Sequence, residues 1–147
     1  MHLRIILLVW IGTGWATNAF GQLRQILYTT IPADSILNIR IAMDDDVQVR
    51  PWHNSSVFIE TEVVLATCQE GIFDHVVAKG RYAVVSTSQP PQLVVRQGVP
   101  KRAPLTSPKG PCDETIIHRI YVPDDFREVD GKQWSRPENL NRSTINN

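Results

Sequence analysis

Residues 36–65 read ILNIRIAMDDDVQVRPWHNSSVFIETEVVL, and apolar and polar side chains alternate through most of this stretch. Successive side chains of a β-strand point to opposite faces, so this alternation predicts half-buried strands over 36–43, 47–50 and 57–65. Three aspartates at 44–46 interrupt the pattern and predict a hairpin or a sharp corner. In the last strand, Glu60 and Glu62 are expected to face solvent.

The segment after this stretch predicts one helix. Thr67 and Glu70 have the spacing of a capping box, which indicates a helix over about 68–79. Four apolar residues form its stripe: Ile72, Phe73, Val76 and Val77. Gly80 follows as a left-handed stop.

The rest of the chain predicts more strands and one irregular loop. Strands are expected at 81–87, 92–97 and 114–122, and a loop at 98–113, where prolines recur and cannot donate hydrogen bonds in a sheet. We therefore predict a mainly β domain over 22–123 with a single packed helix, followed by a flexible polar tail at 124–147.

The amino-terminal segment has the pattern of a secretory signal peptide. Arg4 precedes the uncharged apolar run 5–16, which is shorter than the roughly 20 apolar residues of a membrane-spanning helix. Small residues at Ala19 and Gly21 predict cleavage before Gln22. We expect signal peptide 1–21 to be removed, leaving no transmembrane segment in an exported protein that is periplasmic, outer-surface or extracellular.

The chain has two cysteines, Cys68 and Cys112. An exported protein folds where thiols are oxidised, so we predict a disulfide between them. The alternative is a reactive Cys68, with its pKa lowered at the helix start and His75 as its base.

Three short segments carry a family resemblance: LNIRI at 37–41, DDVQVRPW at 45–52 and SVFIET at 56–61. With the IYVP of 120–123, they resemble the opening of bacterial exported adhesin-like domains, the auto-transporter adhesin head or GIN group. The resemblance implies an envelope location and a β-sheet or β-solenoid-like fold, because such domains usually continue into a right-handed β-solenoid. It transfers no catalytic residues.

Motifs for catalysis, metals and cofactors are missing from the sequence. No G-x-S-x-G, H-E-x-x-H or phosphate-binding glycine loop occurs, so we predict no catalytic residues and no cofactor. The aspartates at 44–46 could offer oxygen ligands to calcium, but they lack the spacing and the glycine of a calcium loop. His53, His75 and His118 lie on separate predicted elements, so we also expect no metal site.

The expected partner is an unknown surface protein or glycan. Fifteen basic and 15 acidic residues give a formal net charge of +0, which offers no general attraction for nucleic acid. Trp52, in a predicted turn, and Lys101 and Arg102, in the basic proline-rich loop, are the candidate contact residues. We thus expect a non-enzymatic envelope or extracellular protein of adhesin-like type, with a small periplasmic hydrolase or ligand-binding module as the alternative.

The signal-peptide assignment predicts that the secreted protein begins at Gln22. Intact-mass measurement of the exported protein checks this cleavage site. A mature protein that retained 1–21 would contradict both the assignment and the oxidising compartment that the disulfide argument requires.

Overall fold

The computed structural model describes residues 21–137. The predicted signal peptide lies outside this range except for Gly21, as does the end of the predicted tail. The described chain forms eleven strands and one helix: β1 Leu23–Pro32, β2 Asn38–Ala42, β3 Asp46–Trp52, β4 Ser56–Ala66, α1 Glu70–Ala78, β5 Val84–Gln89, β6 Gln92–Gln97, β7 Thr106–Ser107, β8 Gly110–Pro111, β9 Asp113–Pro123, β10 Arg127–Asp130 and β11 Gln133–Ser135.

The larger strands form two open sheets. Sheet A has the order β1-β4-β9-β3, with β3 parallel to β9 and the other pairs antiparallel. Sheet B has the order β10-β11-β2-β6-β5, and only its β2–β6 pair is parallel. Strands β7 and β8 form a small hairpin within the predicted proline-rich loop. The fold is therefore mainly β with one helix, as predicted, but two open sheets of mixed order do not confirm a solenoid-like form.

The inner faces of the two sheets pack together around the main core. Sheet A contributes odd-numbered residues of β4, such as Val57 and Ile59, and sheet B contributes Ile39, Leu93 and Val95. Because side chains alternate along a strand, the even-numbered residues of β4 lie on the outer face of sheet A. The alternation in the sequence therefore corresponds to two sheet faces, one packed on the core and one towards solvent.

A second core lies where α1 packs on the far end of sheet A. Phe73 of the helix and the nearby Tyr82 are buried with Val63 and Leu65 of β4. Phe73 and Tyr82 meet edge to face, with ring centroids 6.4 Å apart. The helix stripe thus covers the part of the inner face that sheet B leaves open.

The structure decides between the two alternatives predicted for the aspartates at 44–46. They form the sharp corner and not the hairpin, because β2 belongs to sheet B and β3 to sheet A. The predicted capping box is wrong: the helix begins after Gln69 without a side-chain cap. Thr67 instead adopts a left-handed φ of 62° and donates its hydroxyl to the carbonyls of Ala66 and Pro111. The predicted stop at Gly80 is confirmed by its φ of 73°.

The segment expected to be a flexible tail is part of the fold as far as residue 137. Strands β10 and β11 extend sheet B, with Trp134 opposite Ile39, and Phe126 is 1% exposed in the main core. The segment has the polar composition that predicts disorder. It is nevertheless ordered because β11 pairs with the distant strand β2 and the ring of Phe126 is buried. The opening strand β1 was not predicted either.

Arg136 fastens this segment to the loop between β1 and β2. Its guanidinium donates to the backbone carbonyls of Ala33 and Ile36 and lies 4.6 Å from the centroid of the Phe126 ring. Its Nε is 2.7 Å from a carboxylate oxygen of Asp125. The side chain therefore satisfies loop carbonyls beside the buried aromatic ring.

Replacement of Phe73 by Ala should lower the free energy of unfolding by about 3 kcal/mol, because it leaves a cavity beneath the helix. Denaturant unfolding followed by circular dichroism measures the loss. The matched control is His75→Ala, an exposed position of the same helix, which should stay within about 0.5 kcal/mol of wild type. Equal losses in the two variants would contradict the packing role of Phe73.

Candidate functional site

Four aromatic side chains lie together on the outer face of sheet A. They come from four strands, and we call them the aromatic cluster: Tyr28 of β1, Trp52 of β3, Phe58 of β4 and Tyr121 of β9. The strand register explains the grouping, since Phe58 pairs directly with Tyr121 and both point away from the core.

Phe58 is the centre of the aromatic cluster. Its ring centroid lies 5.8 Å from that of Tyr28, 5.4 Å from that of Trp52 and 5.8 Å from that of Tyr121. The Tyr28 and Trp52 rings are stacked on it, and Trp52 is further fixed by donating its indole N–H to the carbonyl of Ser56 at 2.7 Å. Tyr28 remains 62% exposed, so the cluster presents ordered aromatic surface to solvent.

A band of charged residues adjoins the aromatic cluster on the same face. Glu62 lies between two arginines, with Arg24 Nε and Arg119 Nη1 each 2.7 Å from one of its oxygens. The hydrogen bond from Arg119 lowers the pKa of Glu62 below its ordinary value, and Arg24 adds to the effect. Tyr121 donates its hydroxyl to Glu60 at 3.2 Å, which links the band to the aromatic rings. The predicted solvent-facing carboxylates are thus on the outer face, although the Glu62 side chain is only 10% exposed beneath its arginines.

A buried polar layer crosses the inner face of sheet A between the two cores. Thr61 and His118 are opposite each other on β4 and β9, with Thr61 Oγ1 2.9 Å from His118 Nδ1. The other ring nitrogen, Nε2, lies 3.1 Å from Asp45 Oδ2, and Arg102 pairs with the second oxygen of that carboxylate. A carboxylate only accepts hydrogen bonds, so neutral His118 donates from Nε2 to Asp45 and accepts from Thr61 at Nδ1.

Gln97 extends the polar layer to sheet B. It is buried, accepts the Asp44 N–H at 2.9 Å and donates to the carbonyl of Pro100 at 3.0 Å. Gln97 and His118 therefore hold the corner between β2 and β3 from both sides. Above this corner is a depression of about 450 Å³ whose lining includes Asp44, Asp46 and Glu114.

Burial controls the protonation of the polar layer. The desolvation of His118 lowers the pKa of its imidazole below 6.5 despite the hydrogen bond to Asp45, which acts in the opposite direction. Near the edge of the layer, burial would raise the pKa of Glu114, but the hydrogen bonds from Arg81 oppose this effect and the pKa is lowered. Arg81 Nε lies 2.9 Å from Glu114 Oε1.

The structure joins Cys68 and Cys112, the predicted pair, in a disulfide with Cα atoms 5.0 Å apart. The bond ties the segment leading into α1 to the segment leading into β9. Consequently the helix is held against the end of sheet A by covalent as well as apolar contacts.

The structure separates the three predicted contact residues. Trp52 ends β3 at the aromatic cluster, whereas Arg102 pairs with Asp45 just before β3 begins, about 20 Å away along a seven-residue strand. The Arg102 side chain is 11% exposed and belongs to the polar layer, while Lys101 is exposed on the loop. Trp52 and α1 lie on opposite faces of sheet A.

Sequence reasoning missed the other members of the aromatic cluster. Phe58 and Tyr121 were placed in strands but not on a common face, because that requires the β4–β9 register. The sequence signal that could place Phe58 on the outer face is the alternation of side chains along β4, which sets Phe58 opposite to Val57 and Ile59.

Across residues 21–137, no three histidine, cysteine, aspartate or glutamate side chains are grouped so that they could hold a metal ion. In the same range, no helix is both long and apolar enough to cross a lipid bilayer. Comparison of the chain with family models, curated proteins and solved structures finds no match.

The lowered pKa of His118 makes stability depend on pH. Near and below pH 6.5 this imidazole takes up a proton in the unfolded chain, whereas the buried imidazole of the folded protein resists protonation. Proton uptake therefore favours the unfolded state. The stability associated with neutral His118 is fully present above about pH 6.5 and is lost as the pH falls. His53 acts in the opposite sense, because its hydrogen bond to Asp124 raises the pKa of its imidazole. We expect stability to decrease between about pH 7 and pH 5.

His118→Gln should reduce this decrease and lower stability at pH 8 by about 1–3 kcal/mol, since buried hydrogen bonds are lost. Urea unfolding at a series of pH values measures both effects. The control His53→Asn removes the exposed histidine and should leave the decrease in place. A His118→Gln protein with the wild-type pH slope would show that this imidazole does not control it.

Proposed function

We propose that this protein is a non-enzymatic, exported protein of adhesin-like type that binds a surface glycan through the aromatic cluster. The observation that carries the proposal is the set of four contacting aromatic rings on the solvent face of sheet A. Scattered exposed apolar residues need no explanation, but a contiguous and ordered aromatic surface is typical of a binding site.

A saccharide ring matches this surface chemically. A pyranose has an apolar face of C–H groups and a rim of hydroxyls, so one face can stack on an aromatic ring while the rim forms hydrogen bonds. The rings of the aromatic cluster offer the surface for stacking. Beside them, the carboxylate of Glu60 and the guanidinium of Arg119 offer an acceptor and donors for hydrogen bonds to the hydroxyls.

The charge of the outer face favours an uncharged partner. Its acidic residues are Asp46, Glu60, Glu62 and Asp113, and its basic residues are Arg24, Arg50 and Arg119. Four negative and three positive charges leave a net charge of only −1, so the face has little net attraction for a strongly charged ligand. A neutral glycan is therefore the partner that the chemistry supports best.

Two observations support export to the cell envelope. The signal-peptide pattern at 1–21 directs the chain out of the cytoplasm, and the Cys68–Cys112 disulfide is compatible with an oxidising compartment. The resemblance of 37–61 to exported adhesin-like domains agrees with both. Periplasm, outer surface and extracellular space all fit these observations.

A small hydrolase or ligand-binding module is the second candidate. The polar layer favours it, because Thr61, His118 and Asp45 form the chain of hydroxyl, imidazole and carboxylate that activates a nucleophile in hydrolases. However, Thr61 is 2% exposed and His118 1%, so a substrate cannot reach the hydroxyl in this conformation. The acid-lined depression opens over Asp45 rather than Thr61. The exposed aromatic cluster therefore has the stronger support.

Binding of the mature protein to an array of neutral and anionic glycans tests the proposal. We expect binding to neutral glycans, and Trp52→Leu and Phe58→Leu should each weaken it about two- to tenfold, because they keep apolar bulk but remove a stacking ring. The matched control is Arg40→Ala, an exposed residue on the outer face of sheet B. It should bind like wild type.

Other results would contradict the proposal in different ways. Binding that is lost in Arg40→Ala but kept in Trp52→Leu would move the site to sheet B. Binding to no glycan, together with capture of an envelope protein that Phe58→Leu abolishes, would keep the site but replace the glycan with a protein. Turnover of an ester or peptide substrate that Thr61→Val abolishes would favour the hydrolase.

A further inference from the structure

Three of the four edge strands of sheets A and B have features that discourage pairing with another strand. Strand β3 carries Arg50 and Pro51, and β10 carries charges and a register irregularity between Glu128 and Asp130. Strand β5 ends in the exposed polar run 86–89. Charges, prolines, bulges and polar residues are the means by which proteins protect open edges.

The fourth edge, β1, has fewer of these features: from residue 23 to residue 31 it has no proline and no bulge, and it carries one charge. It has ten residues and pairs with β4 in unbroken register, and no strand within residues 21–137 pairs with its other side. Its single proline is the last residue, Pro32, and its single charge, Arg24, already pairs with Glu62. A long regular edge with so few protective features is suited to pairing with another chain.

The polarity of this strand is symmetric about Leu27. Residues 23–31 read LRQILYTTI. In an antiparallel pair of two such strands centred on Leu27, Ile26 lies opposite Tyr28 and Leu23 opposite Ile31. The polar positions match in the same way, with Gln25 opposite Thr29 and 24 opposite 30. Every apolar residue therefore meets an apolar one and every polar residue a polar one.

We propose that β1 pairs antiparallel with β1 of a second copy of this chain, with Leu27 on the two-fold axis. The two sheets A would then form one continuous eight-stranded sheet. A two-fold interface must be complementary to itself, and the symmetric polarity of residues 23–31 meets that requirement. We favour a second copy over an unrelated strand because pairing with an unrelated strand would not require residues 23–31 to have symmetric polarity.

The pairing would satisfy and bury groups that the single chain leaves open. The unpaired side of β1 would gain backbone hydrogen bonds to its copy. Leu23 and Leu27, which are half-buried on the inner face, would lose further contact with water, as would Ile26 and Tyr28 on the outer face. Tyr28 belongs to both the dimer edge and the aromatic cluster, whereas Trp52 and Phe58 lie away from the edge. Variants at Trp52 and Phe58 therefore test glycan binding, and variants at Ile26 and Leu27 test the dimer.

Sedimentation equilibrium of the mature protein over a range of concentrations tests the dimer. Wild type should dimerise, and Ile26→Lys should weaken the dimer at least about tenfold, because each copy would place a charge against the other's Tyr28. The single chain should tolerate this lysine, since its neighbour on β4 is Glu62. The matched control, Thr87→Lys on the edge strand β5, should dimerise like wild type.

A cross-link tests the register separately and remains informative if Ile26→Lys fails to fold. Leu27→Cys should give a covalent dimer with a short bifunctional thiol reagent, because residues on the two-fold axis face each other about 5 Å apart. Thr87→Cys is the control and should stay uncross-linked. A wild-type protein that is monomeric at every concentration, or cross-linking that is equal in the two variants, would overturn the proposal.

Discussion

The inner face of sheet A extends along β4 and β9, which have eleven residues each, whereas the strands of sheet B that pack on it have at most six. An apolar sheet face exposed to water is costly, so the uncovered part requires another layer. Helix α1 supplies that layer through Phe73. The two cores and the placement of the helix follow from this difference in strand length.

The boundary between sheet B and α1 is where buried polar groups are found. Neither sheet B nor α1 fully covers Thr61 and His118. The corner at Asp45 fills the space between sheet B and the helix. Buried polar groups are tolerated when they are hydrogen-bonded, and each of these groups has a partner. The resulting layer fixes the path between the sheets and makes it sensitive to the charge on one imidazole.

Local patterns predicted the central strands and the helix, because alternation and the apolar stripe each need only a short window of sequence. They could not predict β1, whose burial does not alternate cleanly, or β10 and β11, which have only four and three residues. Those strands depend on partners far away in sequence. The aromatic cluster was missed for the same reason, since its rings come from four strands and only Trp52 was singled out.

Strand β2 lies between β6 and β11, and both partners come much later in the chain, with Ile39 opposite Leu93 on one side and Trp134 on the other. Sheet B can therefore close only after almost the whole described chain has become available, and contacts of such long sequence separation form slowly. In a chain emerging from a ribosome or a translocation pore, the edge of β2 that pairs with β11 would stay unpaired until residues 133–136 have emerged. Strand β11, the last of the described strands, would thus complete the sheet that β2 began.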